Sequence, residues 1–102
     1  MELARELPSK RVLVGISYLS PDGRVVEQKQ FFGRVEVADP SIGIVLALEG
    51  KRLGEKYVLP PDTRPFVVAP PGEYALRSTG EVVVDPDYTV TYSSQSSRSR
   101  RG

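Results

Sequence analysis

From Arg11 onward the side chains alternate with a period of two, and after residue 8 no helical period lasts two turns. Val12, Val14, Ile16 and Tyr18 point one way, and Leu13, Gly15, Ser17 and Leu19 the other, as successive residues of a strand do. Ser20-Pro21-Asp22-Gly23 then reads as a turn, because proline presets φ at its second position and glycine accepts a positive φ later on. The next run, residues 24–37, is long for one strand. Val25, Phe31, Val35 and Val37 share a face with Glu27 and Lys29, which predicts that its first half projects into solvent. Gly33 interrupts the run where a bend or a close backbone approach is expected. Asp39-Pro40-Ser41 is a second turn, with Asp39 placed to cap its own backbone. Beyond it Ile42, Ile44, Leu46 and Leu48 alternate as a core strand, with Gly43, Val45 and Ala47 on the reverse face.

The remainder is punctuated more densely. A polar loop over residues 50–55 leads into a short strand, Tyr57-Val58-Leu59, closed by Pro60-Pro61. Residues 60–72 hold five of the nine prolines, so Phe66-Val67-Val68 is expected as a brief edge strand where missing donors matter least. Residues 74–84 read as a hairpin turning at Thr79-Gly80, and Asp85-Pro86-Asp87 leads to a last strand carrying Tyr88, Val90 and Tyr92. Leu3 and Leu7, four residues apart before Pro8, fit one N-terminal helical turn that needs a packing partner. The expected organisation is an N-terminal turn or arm (1–9), one all-β domain (10–92) and a disordered Ser/Arg-rich tail (93–102). With 102 residues there is room for one modest core.

Composition narrows the chemistry. The chain has no histidine and no cysteine, which removes the commonest general base, thiol nucleophiles, thiolate metal sites and disulfides. Asp85 and Asp87, with Glu73 and Glu81 near in sequence, match no calcium-loop spacing and read as turn chemistry. No metal, no cofactor and no catalytic residue is therefore expected. No apolar run approaches the ~18 residues of a membrane span, and residues 1–10 mix charge too freely for a signal peptide, so a cytoplasmic protein is expected. Lysine and arginine total 14 against 13 acidic residues. Without Arg98, Arg100 and Arg101 the balance is 11 against 13, so the body is weakly acidic, unlike a surface built to grip phosphates.

Residues 32–48, FGRVEVADPSIGIVLAL, place Gly33, Val35, Ala38, Asp39, Ile42, Ile44 and Leu46 as the first Sm motif does, and VLVGI followed by a turn with Asp22-Gly23 is similar to that family's opening strand. Over residues 11–48 the chain thus resembles the small Sm-like and SH3-like β-barrels. The resemblance implies a strongly bent barrel, RNA binding, and rings joined through the fourth and fifth strands; the expected fold is such a barrel with an extra C-terminal hairpin. Two departures bear on function. Gly43 stands where the family reads a base with asparagine, and Tyr57-Val58-Leu59-Pro60-Pro61 stands where it ends a strand in arginine-glycine. Pro60, Pro61 and Pro65 weaken pairing between subunits, although a homo-oligomer by strand-edge pairing stays open.

Candidate binding residues follow from the same alternation. Phe31 and Phe32 must face opposite ways. Phe32 shares its face with Gln28, Gln30 and Arg34, a pattern that can stack a base or a peptide side chain, or pack beneath the N-terminal turn. In the proline-rich stretch Arg64 and Phe66, with Tyr74 after it, fit a groove wall or a covering loop. The reading that follows is a non-catalytic module binding a protein or peptide through Gln30, Phe32, Arg34, Arg64, Phe66 and Tyr74. One alternative is an RNA-binding protein using the aromatic face and the arginine tail. Another is a small carboxylate-dependent enzyme or sugar-binding domain, which requires a pocket uniting Tyr57, Tyr74 or Tyr88 with Asp or Glu.

Overall fold

A computed structural model describes residues 5–95. Leu3 and the three tail arginines lie outside the described residues. Eight strands run β1 (Arg11–Leu19), β2 (Val25–Asp39), β3 (Gly43–Leu48), β4 (Lys56–Leu59), β5 (Val67–Val68), β6 (Glu73–Ala75), β7 (Val82–Val84) and β8 (Tyr88–Gln95), with a 3-10 turn at Gly50–Arg52. Six of them form one sheet in the order β4-β3-β2-β1-β8-β5, and β6 with β7 forms a separate hairpin. All-β is the architecture.

The first hairpin follows its turn chemistry. Gly23 N–H donates to the Ser20 carbonyl at 2.9 Å with φ of 89° at Gly23, and the Asp22 carboxylate accepts from the Ser20 hydroxyl. β1 pairs antiparallel with β2, bringing Val14 opposite Phe31 and Ile16 opposite Lys29. β2 continues unbroken through Gly33, where the neighbouring strand lies so close that a Cβ would stand 2.9 Å from Leu48 Cα and inside the radius of the Ala47 carbonyl. A bulge at Glu36 then shifts the register, so that Val37 turns outward at 45% exposure and Ala38 takes the inward place. The shared face expected for Val35 and Val37 ends there. At the next turn Asp39 Oδ1 accepts from the N–H groups of Ser41 (2.7 Å) and Ile42 (3.0 Å), which holds its carboxyl below the usual range. Ile42 belongs to this turn and is 63% exposed; the buried alternation begins only with Ile44, Leu46 and Leu48.

β8 pairs with β1 in parallel, Val12 opposite Tyr88 and Ile16 opposite Tyr92. The ladder is open: β4 and β5 end it without pairing to each other. The two faces of β1 nucleate two apolar clusters. On one face Val12, Val14 and Ile16 meet Phe31, Val35, Ile44, Leu46, Leu48, Leu59, Phe66 and Val90, and Leu7 is wholly buried among them. Leu7 thus secures the N-terminal segment to the main core, a burial worth about 2 kcal/mol. On the other face Leu13 and Phe32 pack under the β6–β7 hairpin against Leu76 and Val83, with Tyr74 at the margin.

Candidate functional site

Filling of the main core stops at the rung of Ile16, Lys29 and Tyr92, and beyond it the same face carries Tyr18 opposite Glu27. Here a pocket of about 310 Å³ opens. Its floor is Ile16 and Tyr18 of β1; one wall is Tyr57 to Pro60, the other Tyr92 to Ser94. β4 and β8 are separated by three strands in the ladder, so the sheet must curl for their side chains to line one space. Consecutive residues of a strand point to opposite faces. Because both walls contribute consecutive residues, the pocket runs along the edges of β4 and β8 and is a slot between strands.

Aromatic rings dominate this slot. The Tyr57 ring packs on Phe31 at 4.8 Å between centroids, and the Phe31 ring also lies 5.0 Å from the Arg52 guanidinium. Burial pushes the Tyr57 phenol up, with the neighbouring Tyr18 hydroxyl adding to the effect and Arg52 opposing it. Burial, and then the Asp62 carboxylate, push Tyr92 up to about 12, and its hydroxyl donates to the Asp62 carbonyl at 3.4 Å. Lys29 Nζ sits 5.7 Å from the Tyr18 ring centroid. Outside the lining residues, Arg52 pairs with Glu55 (3.0 Å), Lys56 with Glu36 (3.0 Å) and Arg64 with Asp62 (2.9 Å). The phenol hydroxyls can donate or accept hydrogen bonds, and no carboxylate is among the lining residues. Phenol rings and hydroxyls suit contact with rings and carbonyl oxygens, and the lining offers no pair of acids. Among the described residues no group of three or more Asp and Glu side chains is placed to hold a metal ion.

The residues expected from sequence are distributed differently. Phe32 and Tyr74 meet beneath the β6–β7 hairpin; the cover over Phe32 is this hairpin and not the N-terminal turn. Gln30 Oε1 accepts from Ser78 N–H at 3.2 Å, and the Tyr74 hydroxyl donates to the Pro70 carbonyl at 2.6 Å. Arg34 reaches Glu49 at 3.5 Å and the Ser9 carbonyl at 2.9 Å. Phe66 belongs to the main core on the opposite side of the sheet, edge-on to Tyr88 at 6.3 Å, and Arg64 is exposed beside Asp62. These six residues therefore form no single surface. A smaller hollow of about 150 Å³ does open beside Gly15, bordered by Gln28, Gln30, Ser17 and Thr91, with Gln28 Nε2 donating to Ser17 Oγ at 3.3 Å.

Of the tyrosines proposed for a sugar or enzyme pocket, the slot contains only Tyr57; Tyr74 and Tyr88 lie elsewhere. Asp85 and Asp87 serve as turn locks: Asp85 Oδ1 accepts from Gly72 N–H at 2.8 Å, and Asp87 Oδ2 from Arg11 N–H at 2.9 Å. Gly43, which the sequence resemblance set against the base-reading asparagine of the Sm motif, has φ of 119°, and a Cβ there would collide with the Leu59 carbonyl. The residues absent from the sequence expectation are Tyr18 and Tyr92. Their signal was their place at the far end of the buried alternation, where aliphatic residues give way to phenols. No protein-family model, curated protein or solved structure matches the chain.

Proposed function

We propose that this protein is a non-catalytic interaction module that binds a segment of a protein partner in the slot between β4 and β8. The observation that carries this reading is the tyrosine-lined pocket itself, with Tyr18, Tyr57 and Tyr92 converging from three strands and no carboxylate among its lining residues. Tyrosines combine a large rigid apolar body with a hydroxyl donor, which suits peptide recognition at low entropic cost. The volume stands at the lower end of small-molecule sites, about 300–1,000 Å³, and matches one large side chain with its backbone. The curled sheet is read as an opened relative of the small SH3-like and Sm-like barrels, with recognition moved from an RNA-binding turn to the unclosed seam.

The test is a random nonamer peptide array probed with the wild-type protein and with the Tyr57→Ala/Tyr92→Ala double variant. Single-stranded RNA mobility shifts are run beside it at two salt concentrations. The expected result is a set of peptides that bind the wild type and lose at least tenfold in signal with the variant, and no RNA shift. An RNA shift at low salt without peptide binding would overturn the reading in favour of nucleic acid.

A further inference from the structure

We infer that the protein forms a symmetric dimer in which residues 26–30 of β2 pair antiparallel with the same residues of a second copy, Gln28 opposite Gln28. Residues 25–34 of β2 pair with β1, whereas β3 joins the other side of β2 only from Gly33 onward. The first half of β2 therefore keeps one open edge. The phase of the main chain determines which groups stand on it. Val35 N–H donates to the Lys10 carbonyl on the β1 side, and the Phe32 carbonyl accepts from Glu49 N–H on the β3 side. Odd-numbered residues thus turn their N–H and C=O groups to β1, and Val26, Gln28 and Gln30 turn theirs to the open edge. Ser78 N–H takes only the side-chain oxygen of Gln30, and among the described residues no loop backbone bonds the outer side of residues 26–30. Val25 and Val26 are each 54% exposed there.

The charges on this stretch fit a second copy of itself. With Gln28 opposite Gln28, Val26 meets the second copy's Gln30, and these outward residues exchange both backbone hydrogen bonds. Glu27 then stands opposite the second copy's Lys29, and Lys29 opposite its Glu27, in the closer non-hydrogen-bonded positions where opposite charges attract. Lys29 has a ring contact with Tyr18 and no ion pair among the described residues. A slip of one residue sets outward backbone groups against inward ones. A slip of two sets Glu27 against Glu27, or Lys29 against Lys29. Elsewhere β4 carries a lysine and no acid, β6 an acid and no base, and β5, β7 and β8 no charge. Two-fold pairing of like edges also closes on two copies, whereas joining unlike edges leaves one of each open at the ends. None of residues 26–30 lines the tyrosine slot, so the dimer and the peptide-binding reading stand or fall separately.

The test is sedimentation of the full chain from micromolar to millimolar concentration, with amide exchange followed by NMR at both ends of that range. The expected result is a monomer–dimer equilibrium in which the amides of Val26, Gln28 and Gln30 slow at high concentration while those of Glu27 and Lys29 stay as they were. Lys29→Glu is expected to weaken the dimer about tenfold or more, because Glu27 then faces a second carboxylate, and the double variant Glu27→Lys/Lys29→Glu to restore it. A chain that stays monomeric at millimolar concentration overturns the pairing and leaves Lys29 as a guard on an unpaired edge. A dimer that survives Lys29→Glu, or that slows exchange over Lys56–Leu59 or residues 90–94 in place of residues 26–30, overturns it in favour of another edge. A dimer lost in Lys29→Glu and not regained in the double variant overturns the Gln28-centred register. Slowing of the same amides by an array-selected nonamer, and not by concentration, gives the edge to a foreign strand and overturns the dimer.

Discussion

Tyr57 and Tyr92 line one pocket although the strands that carry them stand four places apart in the hydrogen-bonded order. No local rule brings them together. The approach follows from β2, long enough to serve β1 with its first half and β3 with its second, and tightly packed on β3 at Gly33.

Tyr92 ionises late. Its folded pKa of about 12 lies above the ordinary value of 10, so the folded state holds this proton more tightly than the unfolded chain. The associated stability is fully present below pH 10 and is lost as pH rises through about 12. An ultraviolet absorbance titration should show a late phase that disappears in Tyr92→Phe. Ionisation of all five tyrosines in one step near pH 10 would contradict the burial of this phenol.

Asp62 ionises early. The hydrogen bond from the Arg64 side chain, followed by that from the Arg64 backbone, holds its carboxyl down to about 2. Any stability tied to it is present above the unfolded value near 3.8 and is lost as pH falls through about 2. Carboxyl carbon shifts followed by NMR should place Asp62 lowest among the aspartates, and Arg64→Ala should return it toward the ordinary range. The pair is exposed, so little change in melting temperature is expected from that variant.

Phe32 secures the hairpin. It packs with Leu13, Leu76 and Val83, while Lys51 N–H donates to Glu81 Oε2 at 2.8 Å and Lys51 Nζ to the Thr79 carbonyl at 2.7 Å. Phe32→Ala is expected to lower stability by about 3 kcal/mol in urea unfolding. A loss below about 0.5 kcal/mol would mean that Phe32 behaves as a surface residue, available for the stacking role that its sequence position also allowed.

Gly43→Asn, which introduces the asparagine of the Sm motif, should cost about 3 kcal/mol, because its φ of 119° and the Leu59 carbonyl leave no place for a side chain. Ile42→Asn, one residue earlier on the exposed turn, should change stability by about 0.5 kcal/mol or less. Equal effects at the two positions would place β4 farther from this turn than the register with Ile44 and Leu59 requires.

Much of the strand content was legible because alternation and turn residues are local signals. The Ser20-to-Gly23 turn, the Asp39 cap, the core pattern Ile44-Leu46-Leu48 and the hairpin at Thr79-Gly80 each follow from residues within a few places of one another. The Glu36 bulge was not legible: both Val37 and Ala38 suit a strand interior, and only pairing with β3 decides which turns inward. The parallel partnership of β1 with β8 was equally hidden, since it joins segments more than seventy residues apart. That partnership sets Tyr92 beside Ile16, and the curl of the sheet brings Tyr57 to them, so the grouping of the three tyrosines lay beyond any local pattern. The even face of β2 was read as a stacking surface or as packing beneath the N-terminal turn; that Phe32 lies under the β6–β7 hairpin is a tertiary fact.

The most direct test of the account is a ¹H–¹⁵N correlation spectrum of the protein with and without an array-selected nonamer. The account predicts that the largest shifts fall on Ile16, Tyr18, Tyr57, Val58 and Tyr92, with Gln28, Gln30 and Arg34 little moved. Shifts concentrated on Ser17, Gln28, Gln30 and Thr91 would place recognition on the opposite face of the sheet and contradict it.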